Sequence, residues 1–277
     1  MTNLCSLKVE NKPILKPMKI IQKSLGLTIL LLISSVMVTQ AAKREFYEIK
    51  IYSISSEDQE DRLDAYLSEA YLPALHRMGI STVGVFKPRK DTEDAGKKVY
   101  VFTPLKAPSD VMKIEERLAA DKAYQAAGND YINAAYNDAP YDRFESIILK
   151  AFVDAPQMAV PNLKGPKSER FYELRSYEGP TEKLYRNKVD MFNAGGEVVL
   201  FKDLNFNAVF YGEVVTGSHM PNLMYMTTFE NKEDRDAHWK SFVDSPVWDK
   251  LKSDPKYQHN VSKNTQYYLY PTEYSDI

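Results

Sequence analysis

Two short stretches hold the residues best suited to chemistry. Residues 44–52 read REFYEIKIY and residues 169–177 read ERFYELRSY. In an extended chain side chains alternate, so Glu48, Lys50 and Tyr52 share one face, as do Glu173, Arg175 and Tyr177 in the second stretch. A carboxylate, a cation and a phenol side by side can bind a small anionic or hydroxylated ligand. They can equally pair with one another and set strand register, because buried charges are costly unless paired. Tyr211 and Glu213, in VFYGEVV, can join the same space. The opposite face (Tyr47, Ile49, Ile51; Tyr172, Leu174) is apolar and is expected to pack on helices. The charged face would then look into a polar cavity between two sheets.

Four histidines are present: His76, His219, His238 and His259. No two have the spacing of a metal chelate. His219 lies beside Gly217 and Pro221 in a connection between two predicted strands, where a side chain can reach a pocket mouth. His76 stands near the end of a predicted helix, where a cation is favoured by the helix dipole. These two are the candidate acid–base residues. GxGxxG, P-loop, HExxH and GxSxG signatures are absent, so no metal and no cofactor is expected from motifs.

The elements that must position these residues come in two copies. Aligning Phe46 with Phe171, an offset of 125 residues, brings Tyr47, Glu48, Lys50 and Tyr52 onto Tyr172, Glu173, Arg175 and Tyr177. The same offset carries Tyr100 onto Tyr225 and Tyr124 close to Trp248. Each half reads β-α-β-β-α-β, the ferredoxin-like order. In the first, FYEIKIYSI is a strand and Ser56 with Gln59 opens a helix as a capping box. STVGVF and KVYVFT are strands, Pro108-Ser109 starts a further helix, residues 121–136 can form one more, and FESIILKAF closes the unit. In the second half ERFYELRSY, NAVFYGEVV, LMYMTTF and Thr265–Tyr270 are strands, while residues 181–192 and 232–243 are helices. Ser245-Pro246 caps a short helix with Trp248. Asn193-Ala194-Gly195-Gly196-Glu197 reads as a helix C-cap and tight turn. The expected fold is α+β, with two tandem ferredoxin-like units packed sheet to sheet as a barrel. Residues 42–153 form the first unit, 154–168 a Pro- and Gly-bearing linker, and 169–277 the second.

The run NAGGEVVLFKDL, followed by VFYGEVVTGSHMPNLMYMTTFENKEDRDAHWKSFVDSPVWDKLK and taken with FYELRSY, resembles the NIPSNAP family over most of residues 170–262. The first half resembles it more loosely, through FYEIKIY, LPALHRMGISTVGVF and VYVFTPLKAPSD, and lacks the GGE and PNLMYM pieces. The resemblance implies a dimeric α/β-barrel fold related to small monooxygenases and decarboxylases. It carries no settled reaction. A haem-dependent monooxygenase is an alternative by fold analogy, and a non-enzymatic interaction module, with Tyr and Phe packing subunits or partners, is another. A homo-oligomer fits either.

Composition bounds the remaining classes. Net charge is −2 over 277 residues, with 27 % charged and 44 % hydrophobic, which is ordinary for a globular chain. Residues 1–41 hold five lysines and one acid, so the rest of the chain stands at −6. Such a body has no electrostatic footprint for nucleic acid. Residues 25–38, LGLTILLLISSVMV, are shorter than the roughly 20 apolar residues of a membrane span. They follow Lys19 and Lys23 and precede Thr39-Gln40-Ala41-Ala42, the order of a secretory signal with cleavage after Ala41. Met18 is the more usual start for such a signal. The single cysteine, Cys5, precedes it. The expected product is therefore exported, periplasmic or secreted, free of cysteine and without a stable membrane anchor.

Overall fold

The computed structural model describes residues 42–277. The expected secretory signal and its cleavage site, up to Ala41, lie outside them. Strands rich in β-branched and aromatic residues form where the alternation predicts: β1 (Phe46–Ser53), β2 (Gly84–Pro88), β3 (Lys98–Leu105), β4 (Arg143–Ala151), β5 (Phe171–Glu178), β6 (Phe210–Thr216), β7 (Asn222–Phe229) and β8 (Lys263–Pro271). They close into one barrel in the order β1-β3-β2-β8-β5-β7-β6-β4. Each half keeps the ferredoxin-like order, with its first strand between its third and fourth. The joins are β2 to β8 and β4 to β6, both antiparallel, so one chain closes the barrel on itself.

Helices cover the outside. In the first half Glu57–Ala65 (α1) is capped by Ser56, whose side chain accepts from Gln59 N. The capping box is shifted, since the Gln59 side chain accepts from Ser55 N at 2.8 Å. A π-helical turn, Tyr66–Tyr71, then leads into Leu72–Arg77 (α2). Pro73 accounts for that turn: it offers no N–H, and its ring would strike the carbonyl four residues earlier, so the helix widens before it. Asp110–Ala120 (α3), Lys122–Ala127 (α4) and Asn129–Ile132 (α5) complete this layer, the last two replacing the single helix expected over 121–136. The second half has Glu182–Phe192 (α6), Glu197–Asp203 (α7), Lys232–Val243 (α8) and Pro246–Ser253 (α9). Caps from Thr181, Asn231 and Ser245 start three of them.

The orientation of the sheets corrects the sequence expectation. Tyr47, Ile49, Tyr172 and Leu174 point into the barrel, with Phe102 and Phe210, in one apolar cluster fed by all eight strands. The Tyr47 ring lies 5.2 Å from that of Phe102 and 5.4 Å from that of Phe210. The space between the sheets is a packed core. Glu48, Lys50, Tyr52, Glu173, Arg175 and Tyr177 face outward, under the helices. The reason is partnership: the interior neighbours are mostly apolar, whereas helix side chains can satisfy a buried charge.

The repeat also slips by one residue. Lys50 stands opposite Val101, but Arg175 stands opposite Tyr225. The structural counterpart of Tyr225 is therefore Val101, and a one-residue slip exchanges faces. Tyr100 lies inside the barrel and Tyr225 under the helices. Residues 154–168 form neither helix nor strand. They are strapped across both halves by Glu45 N donating to Pro156 O at 2.8 Å and Ala159 N donating to Val209 O at 2.9 Å.

Candidate functional site

The outward face of the second sheet carries a continuous buried polar network. Glu173, fully buried on β5, accepts from Arg175 Nε at 2.6 Å, Arg235 Nε at 2.8 Å and Trp239 Nε1 at 2.7 Å. Arg235 and Trp239 are i and i+4 on α8, so one helix face delivers both donors. The Arg175 guanidinium lies 3.6 Å from the centre of the Trp239 ring, a cation–π contact out of water. Arg175 donates on to the Tyr177 hydroxyl at 3.1 Å, and the Tyr177 and Tyr225 hydroxyls are 3.0 Å apart. Beside this chain, Lys188 of α6 donates to Glu197 of α7 at 2.8 Å, and both are buried. Gly195 and Gly196 allow that pair to form. A Cβ at Gly195 would stand 2.4 Å from Met191 O, and Gly196 has φ +86 where it starts α7. The expected C-cap is thus also the turn that aims Glu197 at Lys188.

Burial keeps the phenols of Tyr225 and Tyr211 protonated. Burial, then the neighbouring Tyr177, pushes Tyr225 well up, against the pull of Arg175. Burial and then the Glu197 carboxylate push Tyr211 up. Burial alone would lower Arg175, but Tyr225, Tyr177 and Glu173 outweigh it and its charge is held more firmly. These tyrosines are O–H donors rather than bases.

Tyr211 differs from its neighbours. Its ring stacks on Tyr225 with centroids 5.6 Å apart, yet no hydrogen bond holds its hydroxyl among the described residues. It lines a cleft of about 380 Å³ between β6, α7 and the linker, with Val198, Phe201, Ala208 and Ala159 as apolar walls and Lys202, Asn205 and Gln157 at the edge.

The first half builds a different layer. Among the described residues Glu48 accepts only from Ser146 Oγ, at 2.6 Å, and does not pair with Lys50. The Lys50 ammonium lies 3.8 Å from Glu115 and over the rings of Tyr71 and Phe144, at 5.6 and 5.2 Å. Tyr52 accepts from the Tyr131 hydroxyl at 3.3 Å. Glu213 pairs with Arg44 at the barrel edge. His76 Nε2 stands 2.8 Å from Asp276 Oδ2, tying the end of α2 to the chain terminus. His219, with φ +61, sits on an exposed turn 3.6 Å from Glu178. Neither histidine reaches the network or the cleft. The described residues contain no cluster of His, Cys, Asp or Glu able to hold a metal. Nor do they contain a helix long and apolar enough to cross a membrane.

The NIPSNAP family model matches residues 172–276. The second half is thus similar to the NIPSNAP family. Its network and its cleft lie within or against that half, whereas the first half is a divergent partner. Glu197 and Trp239 fall inside the run that carries the resemblance, which was the available signal for them. Arg235 lies in that run too, whereas Lys188 had no such mark, because its partner is brought close only by folding.

The whole barrel is similar to solved structures of the same fold. A protein from Lactobacillus acidophilus NCFM named as a monooxygenase aligns with TM-score 0.55 and 10 % identity over 83 % of this chain and 94 % of its own. A protein from Fusobacterium nucleatum, also named as a monooxygenase, aligns with TM-score 0.52 and 8 % identity over 83 % and 93 %. An anthrone oxidase-like protein aligns with TM-score 0.50 and 8 % identity over 84 % and 93 %. Likeness at such identity is one of fold. A comparison with curated proteins finds no match.

Proposed function

We propose that the NIPSNAP-like domain is a small-molecule-binding module whose ligand enters the cleft over Tyr211. The observation that carries this reading is Tyr211, a buried residue whose hydroxyl has no hydrogen-bond partner among the described residues, at the floor of a largely apolar cleft. A cleft of about 380 Å³ falls in the usual size range of ligand pockets. The ligand class it suits is a compact, mostly apolar molecule with one carbonyl or ether oxygen to accept the Tyr211 hydrogen bond. The Glu173–Arg175–Tyr177–Tyr225 network stands behind it as the support that fixes Tyr211 through ring stacking. His76 and His219 have no part in this reading, and acid–base catalysis by them is not proposed.

The test is a fragment screen by ligand-observed NMR with aromatic ketones and their alkane-bridged analogues. Ketones are expected to bind, with Tyr211→Phe weakening them about tenfold or more, as loss of a hydrogen bond worth about 1.5 kcal/mol implies. Ala159→Trp, a change on the exposed linker wall, should block binding altogether. Ketone binding unchanged in both variants would remove the reading.

The N-terminal order of lysines, apolar run and small residues further supports export. Cell fractionation with N-terminal sequencing should find a chain beginning near Ala42 outside the cytoplasm. A cytoplasmic chain retaining residues 25–38 would refute it.

A further inference from the structure

A second cleft lies in the first half, at the opposite side of the linker strap. It encloses about 360 Å³ between the end of α2, the end of β3 and α3. Its floor is apolar: Ile80, Leu105, Ile114 and Met158. Its rim is cationic. Asp110, Lys113, Ile114 and Arg117 follow i, i+3, i+4, i+7, so one stripe of α3 faces the cleft. Lys106 joins them from the β3 end.

The charges do not cancel within the cleft. Asp110 is occupied by Lys106 N at 3.0 Å, Ala107 N at 2.9 Å and Lys113 Nζ at 2.8 Å. Glu45 accepts from Met158 N at 2.9 Å. Lys113 is spent on Asp110. The Lys106 ammonium and the Arg117 guanidinium have no carboxylate partner among the described residues. Two cations without partners at the mouth of an apolar cleft complement a ligand that is apolar at one end and anionic at the other.

We infer that this cleft is a binding site for a short amphiphilic anion, its chain on Ile80, Ile114 and Met158 and its carboxylate between Lys106 and Arg117. The site is independent of the one over Tyr211: it shares no lining residue with it and asks for a charge that the other does not.

The probe is octanoate, titrated into the purified protein and followed by methyl NMR and calorimetry, with octan-1-ol and octyltrimethylammonium as controls. Octanoate should bind saturably with Kd of about 1 mM or tighter. It should shift the Ile80, Ile114 and Met158 methyl signals and bind at least tenfold better than either control. Lys106→Glu/Arg117→Glu should weaken it at least tenfold. Both side chains are exposed, so the variant should keep the parent melting temperature, which is measured alongside. Ala159→Trp, which closes the other cleft, should leave octanoate binding unchanged. Equal binding of octanol, no saturable octanoate binding, or indifference to the double charge reversal would each overturn the assignment.

Discussion

Glu173→Gln and Glu48→Gln occupy matched positions in the two halves and should behave differently. The substitution keeps the side-chain volume and removes the charge. At Glu173 the carboxylate is fully buried and shared by Arg175, Arg235 and the Trp239 indole. Removing one partner of a buried ion pair costs about 3–5 kcal/mol, since it leaves buried cations without compensation. For a domain of this size, about 2–4 °C accompanies each kcal/mol, so the melting temperature should fall by about 6–20 °C. At Glu48 the carboxylate has, among the described residues, one neutral partner, Ser146 Oγ at 2.6 Å. Loss of that bond is offset by no longer burying a charge, and the change should stay within about 1 kcal/mol. Reversible thermal unfolding followed by circular dichroism reads both. Trp239 fluorescence gives a local readout in Glu173→Gln, because its N–H loses a carboxylate. A melting temperature for Glu173→Gln within about 3 °C of the parent, or an equal fall in Glu48→Gln, would refute the argument that the network clamps α8 to the sheet.

Three further outcomes follow from the same layer and its surroundings. Lys188→Met should cost about 3 kcal/mol by leaving Glu197 buried and unpaired, and Lys188→Met/Glu197→Leu should recover most of it in urea denaturation. Thr227→Val should be neutral or stabilising by up to about 1 kcal/mol in the same assay, since the buried Thr227 hydroxyl has no partner among the described residues. Glu230 accepts from Gly165 N and Lys164 N, which hold its carboxyl below the ordinary value of 4.5. A depressed carboxylate gives stability that is complete above its unfolded-state value and is lost as pH falls through the folded one. Glu230→Gln should therefore flatten the fall in melting temperature below about pH 4.5 and change little at neutral pH.

Much of this architecture could be read from two copies of one strand. FYEIKIY and FYELRSY share length, register and parity with β1 and β5, and the helix caps at Ser56, Thr181 and Ser245 lie where the residue types require. The side of the sheet could not be read. Both faces of β5 are buried, one under helices and one inside the barrel, so hydrophobic alternation loses its contrast. What decides the matter is the location of Arg235 and Trp239, about 60 residues downstream, and nothing local to Glu173 announces them. The Tyr100–Tyr225 match failed for a related reason. Side chains in strands have period two, so a single lost residue between the halves moves a tyrosine from the helix layer to the core. Tyr211 was found by its place in VFYGEVV, whereas its cleft needs the linker, α7 and β6 together.

The closure of the barrel within one polypeptide, through β2–β8 and β4–β6, has a genetic consequence. In a homodimer a substitution lands on both sides of the two-fold axis, and the interface must tolerate the change twice. Here each codon is expressed on one side only. One half carries Lys50 under an outer layer rich in tyrosines, while the other carries Glu173, Arg175 and their donors. Duplication followed by fusion thus turns a symmetric assembly into a chain whose two faces can be selected separately.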